Sequence, residues 1–326
     1  MLRRLITFWS KRGISDANAL AFYTEILALG GNLTPREQTA VDNLVIDLKT
    51  AGLWSKIRVL YPFVGQSAVS HSLNLVNPLE FQIDWYGTLT HNSSGVVTDG
   101  VTGYGNTNLP CVRIQTGNIP PQSNSPYLHA SAYIKNVTVT NNNYGFIFGS
   151  NYSLVGYSED YGTSITLSNF AGIKKVTANG GDATYSPPVE SPWGPSYTIL
   201  TYSGLYTVTS NLLEPNSMPV GPYSGIIRTY KDTTELGSRG MNWITSSGTA
   251  APYGSQADSG ILSQGAVYIG GSHFTDRAIG PAPLNDRMEK PLAATYSFAC
   301  FGEFLTGSEV TQLNTIVSDF QTYLNR

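Results

Sequence analysis

The apolar positions near the start of the chain recur with the period of an α-helix. A first helix is predicted to begin at Ser15, which can act as an N-cap, and to end at the Gly30-Gly31 pair. Its predicted apolar stripe comprises Leu20, Tyr23 and Leu27. An amphipathic helix of this kind must bury its stripe against another surface of the protein, against a second helix or against a partner protein.

A second helix is predicted to follow directly. The run Thr34-Pro35-Arg36-Glu37 combines a capping box with proline at the first helical position, and Gly52 ends the segment. Its apolar stripe has the spacing i, i+3, i+4, i+7 and comprises Val41, Leu44, Val45 and Leu48. Residues 1–58 are therefore interpreted as an N-terminal arm and helical lead-in, followed by a β body over residues 59–326.

From about residue 60 to residue 301 the apolar positions recur with period two. In the stretch 127–135, Leu128, Ala130, Ala132 and Ile134 alternate with His129, Ser131, Tyr133 and Lys135. Such alternation predicts a β-strand with one face toward the core. About a dozen similar short runs, separated by turn residues and without a helical pattern among them, favour an antiparallel sandwich over a barrel or a parallel sheet.

Two loops are predicted within this β body. Asn141, Asn142 and Asn143 separate two β-rich runs and tolerate left-handed backbone, which predicts a hairpin. The stretch 185–197 contains four prolines, which cannot donate to a central ladder, and is predicted to be a surface loop. It could instead link two β domains, but the alternation continues on both sides, and one domain is preferred.

The chain returns to helical spacing at its C-terminal end. The stretch 295–301 is apolar at successive positions, as expected of a strand buried on both faces. Thr306 and Glu309 then form a second capping box. The helix that they begin has an apolar stripe of Val310, Leu313, Val317 and Phe320. This helix is predicted to close over the sandwich.

Composition narrows the possible functions. Charged residues make up 13% of the chain, about half the usual share, and the formal net charge is −3, which disfavours binding to nucleic acid or to an anionic membrane. The apolar run at residues 5–9 is too short for a signal peptide, and no run reaches membrane-spanning length, so a soluble protein made in a cytoplasm is expected. Cys111 and Cys300 lie in apolar runs, and buried free thiols are favoured over a disulfide or a metal site.

The order of motifs near the two ends resembles a known family. The stretches "RTYKDTTELG", "AVYIGG" and "YSFACFGEFLTGSEVTQL", in that order, resemble the end of concanavalin- and laminin-G-like jelly-roll domains. Residues 34–65 resemble the helical lead-in that virion proteins of tailed bacteriophages place before such a domain. The resemblance covers residues 34–65 and 226–326, and the middle of the chain only through its strand texture. It implies a mainly β, antiparallel concanavalin-like jelly-roll sandwich and a phage origin.

Enzymatic motifs were sought because some sandwiches of this class hydrolyse glycans with paired carboxylates. The relatives that do so carry Glu-x-Asp-x-x-Glu on one strand, and this chain has no such triplet. Glu159 and Asp160 are adjacent and would point to opposite faces of a strand. Residues 158–165 match a sialidase Asp-box in part and are interpreted as a turn. No catalytic residue is predicted.

Metal and cofactor sites are not predicted either. His71, His91, His129 and His273 show no ligand spacing and are interpreted as surface or strand-face histidines. Loop oxygens around Asp99 or Asp182 could bind calcium, but without a fixed ligand spacing structural turns are preferred. Glycine-rich stretches lack the lysine and helix of a phosphate loop.

Two candidate binding regions remain. Trp193, with Tyr185 and Tyr197 nearby, could offer flat aromatic faces to a sugar ring, although Trp193 pinning its own loop is the preferred interpretation. The N-terminal arm sets basic residues beside aromatic ones outside any core pattern, and it is the candidate docking segment for another particle protein. Its residues are Arg3, Arg4, Phe8, Trp9, Lys11 and Arg12.

These patterns lead to a ranked set of expected functions. The first is a non-enzymatic structural component of a tailed-phage virion, such as a fibre, capsid decoration or tail or neck attachment protein. It would be made in the host cytoplasm, be present in many copies or as a homo-oligomer, and contact other virion proteins. The second is a glycan-binding adhesin that recognises the host surface, and the third is a glycoside hydrolase.

Overall fold

The computed structural model describes residues 14–111, 129–138, 144–150, 152–154, 171–174, 197–198, 203–210, 223–243, 265–276, 285–289 and 292–326.

The helices of the described part are α1 (Ala17–Ala28), α2 (Pro35–Thr50), a 3-10 turn (Trp54–Lys56), α3 (Ala68–Ser72) and α4 (Gly307–Tyr323). Helices α2 and α4 form where the predicted capping boxes place them, whereas the short α3 was not predicted. The predicted capping boxes of Thr34 and Thr306 are both confirmed. Gly30 and Gly52 have positive φ after α1 and α2, as a left-handed helix end requires.

The first helix differs from its prediction in two details. Asp16, not Ser15, is the N-cap, because the Asp16 side chain accepts the hydrogen bond from Asn18 N. Ser15 instead donates through its backbone N and its hydroxyl to the carboxylate of Asp42 on α2. The buried face is also rotated from the predicted stripe: Leu20 and Leu27 are only partly buried, and the fully buried side chains are Ala19, Phe22, Tyr23 and Ile26.

The strands of the described part fall into three sheets. Their bounds are β1 Ile57–Tyr61, β2 Asp84–Tyr86, β3 Leu89–Asn92, β4 Gly95–Thr98, β5 Tyr104–Cys111, β6 His129–Thr138, β7 Tyr144–Ser150, β8 Tyr152–Leu154, β9 Ala171–Lys174, β10 Tyr197–Thr198, β11 Gly204–Ser210, β12 Tyr223–Lys231, β13 Thr234–Trp243, β14 Gly265–Ile269, β15 Ser272–Asp276, β16 Asn285–Glu289 and β17 Ala293–Gly302.

The first sheet has eight strands in the order β13-β12-β11-β6-β17-β4-β3, with β1 also paired to β17. The second has the order β10-β9-β7-β14-β5-β2, and a third, small sheet has the order β16-β15-β8. Two pairs, β9 with β10 and β8 with β15, are parallel, and the other pairs are antiparallel. The predicted mainly antiparallel β class is confirmed.

One predicted hairpin is wrong. The strand β6 pairs with β11 and β17 in the first sheet, whereas β7 pairs with β9 and β14 in the second. The segment between them, with Asn141 to Asn143 outside the described residues, therefore connects two sheets. An asparagine run marks a change of direction, but it carries no information about which strand the chain pairs with next.

Two apolar clusters separate three layers, which are the helices, the first sheet and the second sheet. One cluster lies between the first and second sheets and includes Tyr296, Ala299 and Phe301 of β17. The other lies between the first sheet and the helices, and includes Phe298 and Cys300 of the same strand. Strand β17 is thus buried on both faces, as predicted.

Helix α4 covers the outer face of the first sheet together with α1 and α2. Its predicted stripe is confirmed, because Val310, Leu313 and Val317 are fully buried and Phe320 is nearly so. Strand β1 begins at Ile57, next to the predicted boundary at residue 58, and its side chains contribute to both clusters.

Candidate functional site

Most of the predicted binding residues lie outside the described residues. Trp193, Tyr185 and the whole N-terminal arm, from Arg3 to Arg12, are among them, as are the Asp-box-like stretch 158–165 and Asp182. Tyr197 is placed only by its backbone, in β10 beside β9. The candidate sites discussed below are built from other side chains.

Cys300 and His129 form a buried pair on adjacent strands. The Cys300 Sγ lies 3.7 Å from His129 Nε2, and both residues are completely buried. His129 Nδ1 donates to the carbonyl oxygen of Glu303 at 2.5 Å, which leaves Nε2 as the acceptor for the thiol. Cys300 is a free thiol, as predicted.

The complete burial of this pair and its hydrogen bonds within the fold favour a structural role. Burial raises the pKa of the Cys300 thiol to about 12, and burial lowers the pKa of His129 to about 4. The proton therefore stays on sulfur at neutral pH, whereas nucleophilic cysteines carry a depressed pKa and an accessible thiolate. The pair fixes β6 against β17 and offers no thiolate to a substrate.

Asp99 uses its carboxylate to organise its own loop. Its Oδ1 accepts hydrogen bonds from the backbone N of Val101, Thr102 and Gly103 at 2.7 to 2.9 Å. Its Oδ2 accepts from the hydroxyl of Thr102 at 2.8 Å. Although burial opposes the shift, these hydrogen bonds lower the pKa of Asp99 to about 2. Asp99, whose oxygens were considered as calcium ligands, therefore stabilises a turn, which is the interpretation that the sequence favoured.

Two of the histidines that were interpreted as surface or strand-face residues contact each other. His71 on α3 and His91 on β3 place their Nδ1 atoms 3.0 Å apart. His71 is 1% exposed rather than at the surface, and its Nε2 has no hydrogen-bond partner among the described residues. Phe63 and Trp85 contact the pair through their ring edges. Burial lowers the pKa of both histidines, that of His71 strongly.

Arg326 lies beside this pair and binds main-chain oxygens. Its guanidinium group donates to the carbonyl oxygens of Pro62, Phe63 and Ser297 at 2.7, 2.8 and 3.0 Å. A longer contact of 3.3 Å reaches Ser93 O. The residue as a whole is only half-buried, but these oxygens enclose its charged group, and burial lowers the pKa of Arg326 to about 10. The guanidinium remains charged at neutral pH and joins three segments of the chain.

Tyrosines line part of the outer face of the second sheet. Tyr86 of β2 and Tyr104 of β5 are paired in register, with ring centroids 5.0 Å apart and planes 14° apart. Tyr268 of β14 contacts Tyr104 at 5.9 Å. Tyr86 keeps 45% of its surface exposed. Beside them, Asn108 Nδ2 donates to the carboxylate of Asp84 at 2.8 Å, so that aromatic and amide groups share one face.

Sequence reasoning missed both the histidine pair and the tyrosine stack. Each is assembled from elements that the chain brings together by sheet pairing, and neither has a fixed sequence spacing. The alternation of β5 contained a usable signal for the tyrosines, because Gly105, Thr107 and Leu109 are buried and place Tyr104 on the opposite face.

In the part of the chain that the structure describes, no three His, Cys, Asp or Glu side chains converge so as to hold a metal ion. No helix there combines the length and apolarity needed to cross a membrane.

Comparison of the chain with models of protein families, with curated proteins and with solved structures found no match.

Proposed function

We propose that the protein is a non-enzymatic structural component of a tailed-phage virion, built on a concanavalin-like jelly roll. The observation that carries the proposal is that the two segments with the family resemblance, 34–65 and 226–326, pack together. Arg36 of α2 donates to Tyr323 O and to the Asn325 side chain at the end of α4. Lys56 forms an ion pair with Glu309 at 2.5 Å.

This packing makes the helical lead-in part of the β body. The side chains of α1, α2 and α4 share one apolar cluster with the first sheet. A lead-in held in this way fixes the position of Ile14, to which residues 1–13 are joined. That is a useful property in a protein that must present residues 1–13 to a neighbouring particle protein.

In this proposal, the polar side chains that could take part in a reaction stabilise the fold instead. The thiol of Cys300 and the imidazole of His129 bind each other, and Asp99 binds its own loop. Such use of polar groups is expected of a stable particle component, such as a fibre, a capsid decoration or a tail or neck attachment protein. Its partners would be other virion proteins and further copies of itself.

The test is to locate the protein in particles. Antibodies against the purified chain would be applied to density-purified phage from the host culture that produces it, followed by gold labelling and electron microscopy. We expect label at one defined part of the particle and the intact chain in the particle proteome. If the chain is found only in the soluble lysate, and the particles carry neither label nor the chain, a virion role is refuted.

A second candidate function, glycan binding at the host surface, is favoured by the tyrosine stack. Sugar rings pack their apolar faces on aromatic rings, while neighbouring amides and carboxylates bind their hydroxyls. Tyr86 and Tyr104, beside Asp84 and Asn108, offer that combination. This surface is separate in sequence from Trp193, which the sequence singled out.

A glycan array separates the two functions. If the adhesin is correct, Tyr86→Ala abolishes a glycan signal that Tyr323→Ala retains; Tyr323 is a matched control because it is similarly exposed, at 42%, on α4. If only Trp193→Ala loses the signal, the glycan-binding site lies in the proline-rich stretch instead. An array with no signal for the wild-type chain would refute glycan binding among the sugars presented.

A further inference from the structure

The contact between His71 and His91 joins two elements that are otherwise held by few polar links. Helix α3 is only five residues long, and a helix of that length is not stable by itself. Two other described hydrogen bonds join α3 to its neighbours, from Trp85 Nε1 to Ala68 O at 3.3 Å and from Ile83 N to Ser72 O at 2.9 Å. On either side of the helix, Gly65 N donates to Glu37 Oε1 at 2.9 Å and the Leu73 side chain is fully buried. The histidine contact is the polar side-chain link from α3 itself to β3.

The surroundings of His71 indicate where its proton lies. Its Nε2 is buried and has no partner in the described part of the chain, and buried N–H groups without an acceptor are rarer in proteins than acceptors without a donor. The proton is therefore assigned to Nδ1, which donates to His91 Nδ1. His91 is half-buried and carries its own proton on Nε2. Both rings are neutral in this arrangement, and one proton lies between them.

Proton uptake works against this contact whichever nitrogen accepts the proton, because a proton on the buried His71 Nε2 creates a charged ring with an unpaired N–H. Once His91 Nδ1 is protonated it no longer accepts, and two imidazolium rings at this distance repel each other. The charged group that faces His71 is the guanidinium of Arg326, a further cation, and Phe63 and Trp85 contribute only apolar edges. Arg326 in turn interacts with Glu37 of α2 and with Lys135 of β6.

We propose that the His71 and His91 pair is an acid-sensitive latch: the neutral pair holds α3 against β3, and proton uptake releases α3 between its anchors at Gly65 and Leu73. The direction follows from the burial of both rings. Because burial lowers their pKa values below 6.5, the closed state loses stability as the pH falls through 6.5, where the open state begins to bind protons. For a histidine that stays neutral in the closed state, lowering the pH from 7 to 5 raises the ratio of open to closed molecules by about 25-fold.

Hydrogen exchange followed by mass spectrometry tests the latch in the full chain. We expect peptides covering 65–73 to lose protection between pH 7 and pH 5, after correction for the intrinsic pH dependence of exchange. Peptides from α2 should keep theirs and serve as the internal control. EDTA is present throughout, since paired imidazoles also bind transition metals. Unchanged protection of 65–73 down to pH 5 would overturn the proposal.

Variants separate the latch from general acid sensitivity. His91→Gln keeps an acceptor for His71 without the low-pH charge, and the double variant His71→Phe/His91→Gln removes both titrating groups. We expect His91→Gln to weaken the pH dependence and the double variant to remove it. A double variant that still opens in the same pH range would refute the latch.

Nuclear magnetic resonance of the wild-type chain gives a test that needs no folded variant. Histidine nitrogen shifts should show His71 protonated at Nδ1 and both rings neutral at pH 6. Two rings that titrate independently near pH 6.5 would contradict the closed, shared-proton contact. Burial lowers the pKa of His129 to about 4, which is outside the pH range used.

Discussion

Replacing Leu313 by alanine measures how much helix α4 contributes to the fold. The Leu313 side chain is completely buried in the cluster between α4 and the first sheet, with Val310 and Val317 on either side. Leucine-to-alanine changes in sealed cores cost about 2–5 kcal/mol, the larger values where the site cannot collapse. Because α2 and the sheet both back this site, we expect a loss of about 3 kcal/mol in the free energy of unfolding.

The assay is urea denaturation followed by far-ultraviolet circular dichroism. The matched control is Gln312→Ala, which changes the neighbouring exposed position of the same helix and should stay within about 0.5 kcal/mol of the wild type. A Leu313→Ala chain as stable as that control would refute the reasoning, because the helix would then contribute no burial. Truncation after Phe304 is the stronger form of the experiment, and we expect it to cause aggregation.

Three further predictions concern caps, loops and the N-terminal arm. Thr306→Ala removes the N-cap of α4 and should cost about 1 kcal/mol in urea denaturation, with an unchanged far-ultraviolet spectrum. Asp99→Ala should cost about 1.5–3 kcal/mol because three backbone N–H groups lose a charged acceptor, and Asp99→Asn should cost less. This Asp99 contribution is present above about pH 4 and is lost as the pH falls toward 2, since its folded pKa is depressed, so the wild type and Asp99→Ala should converge in stability there. Deletion of residues 1–13 should leave a folded, soluble domain that no longer enters particles, and normal incorporation by particle proteomics would contradict the docking role.

The helices could be predicted because their signals are local. The capping boxes of Thr34 and Thr306 lie within four residues, and the stripes of α2 and α4 follow the 3.6-residue period. The strand class was predictable for the same reason. The partner of a strand is decided by residues far along the chain, which is why the Asn141 to Asn143 segment was assigned to the wrong pairing.

The candidate sites could not be predicted from the sequence for a related reason. His71 and His91 are twenty residues apart and on different elements, and only the packing of α3 on β3 joins them. Arg326 reaches Pro62 across 264 positions. The four histidines cannot be told apart from the sequence. In the structure, His129 contacts the Cys300 thiol, whereas His71 and His91 contact each other.

The position of β17 has a consequence for how the protein is made. This strand lies in the middle of the first sheet, yet it pairs with residues as much as 245 positions earlier, since Gly302 pairs with Ile57 of β1. A ribosome therefore releases β1, β4 and β6 long before the strand that joins them exists. Until then their edges and the apolar stripes of α1 and α2 stay exposed, a state that invites aggregation and favours chaperones. We expect folding to be slow, because closing such distant contacts must precede any gain from the core.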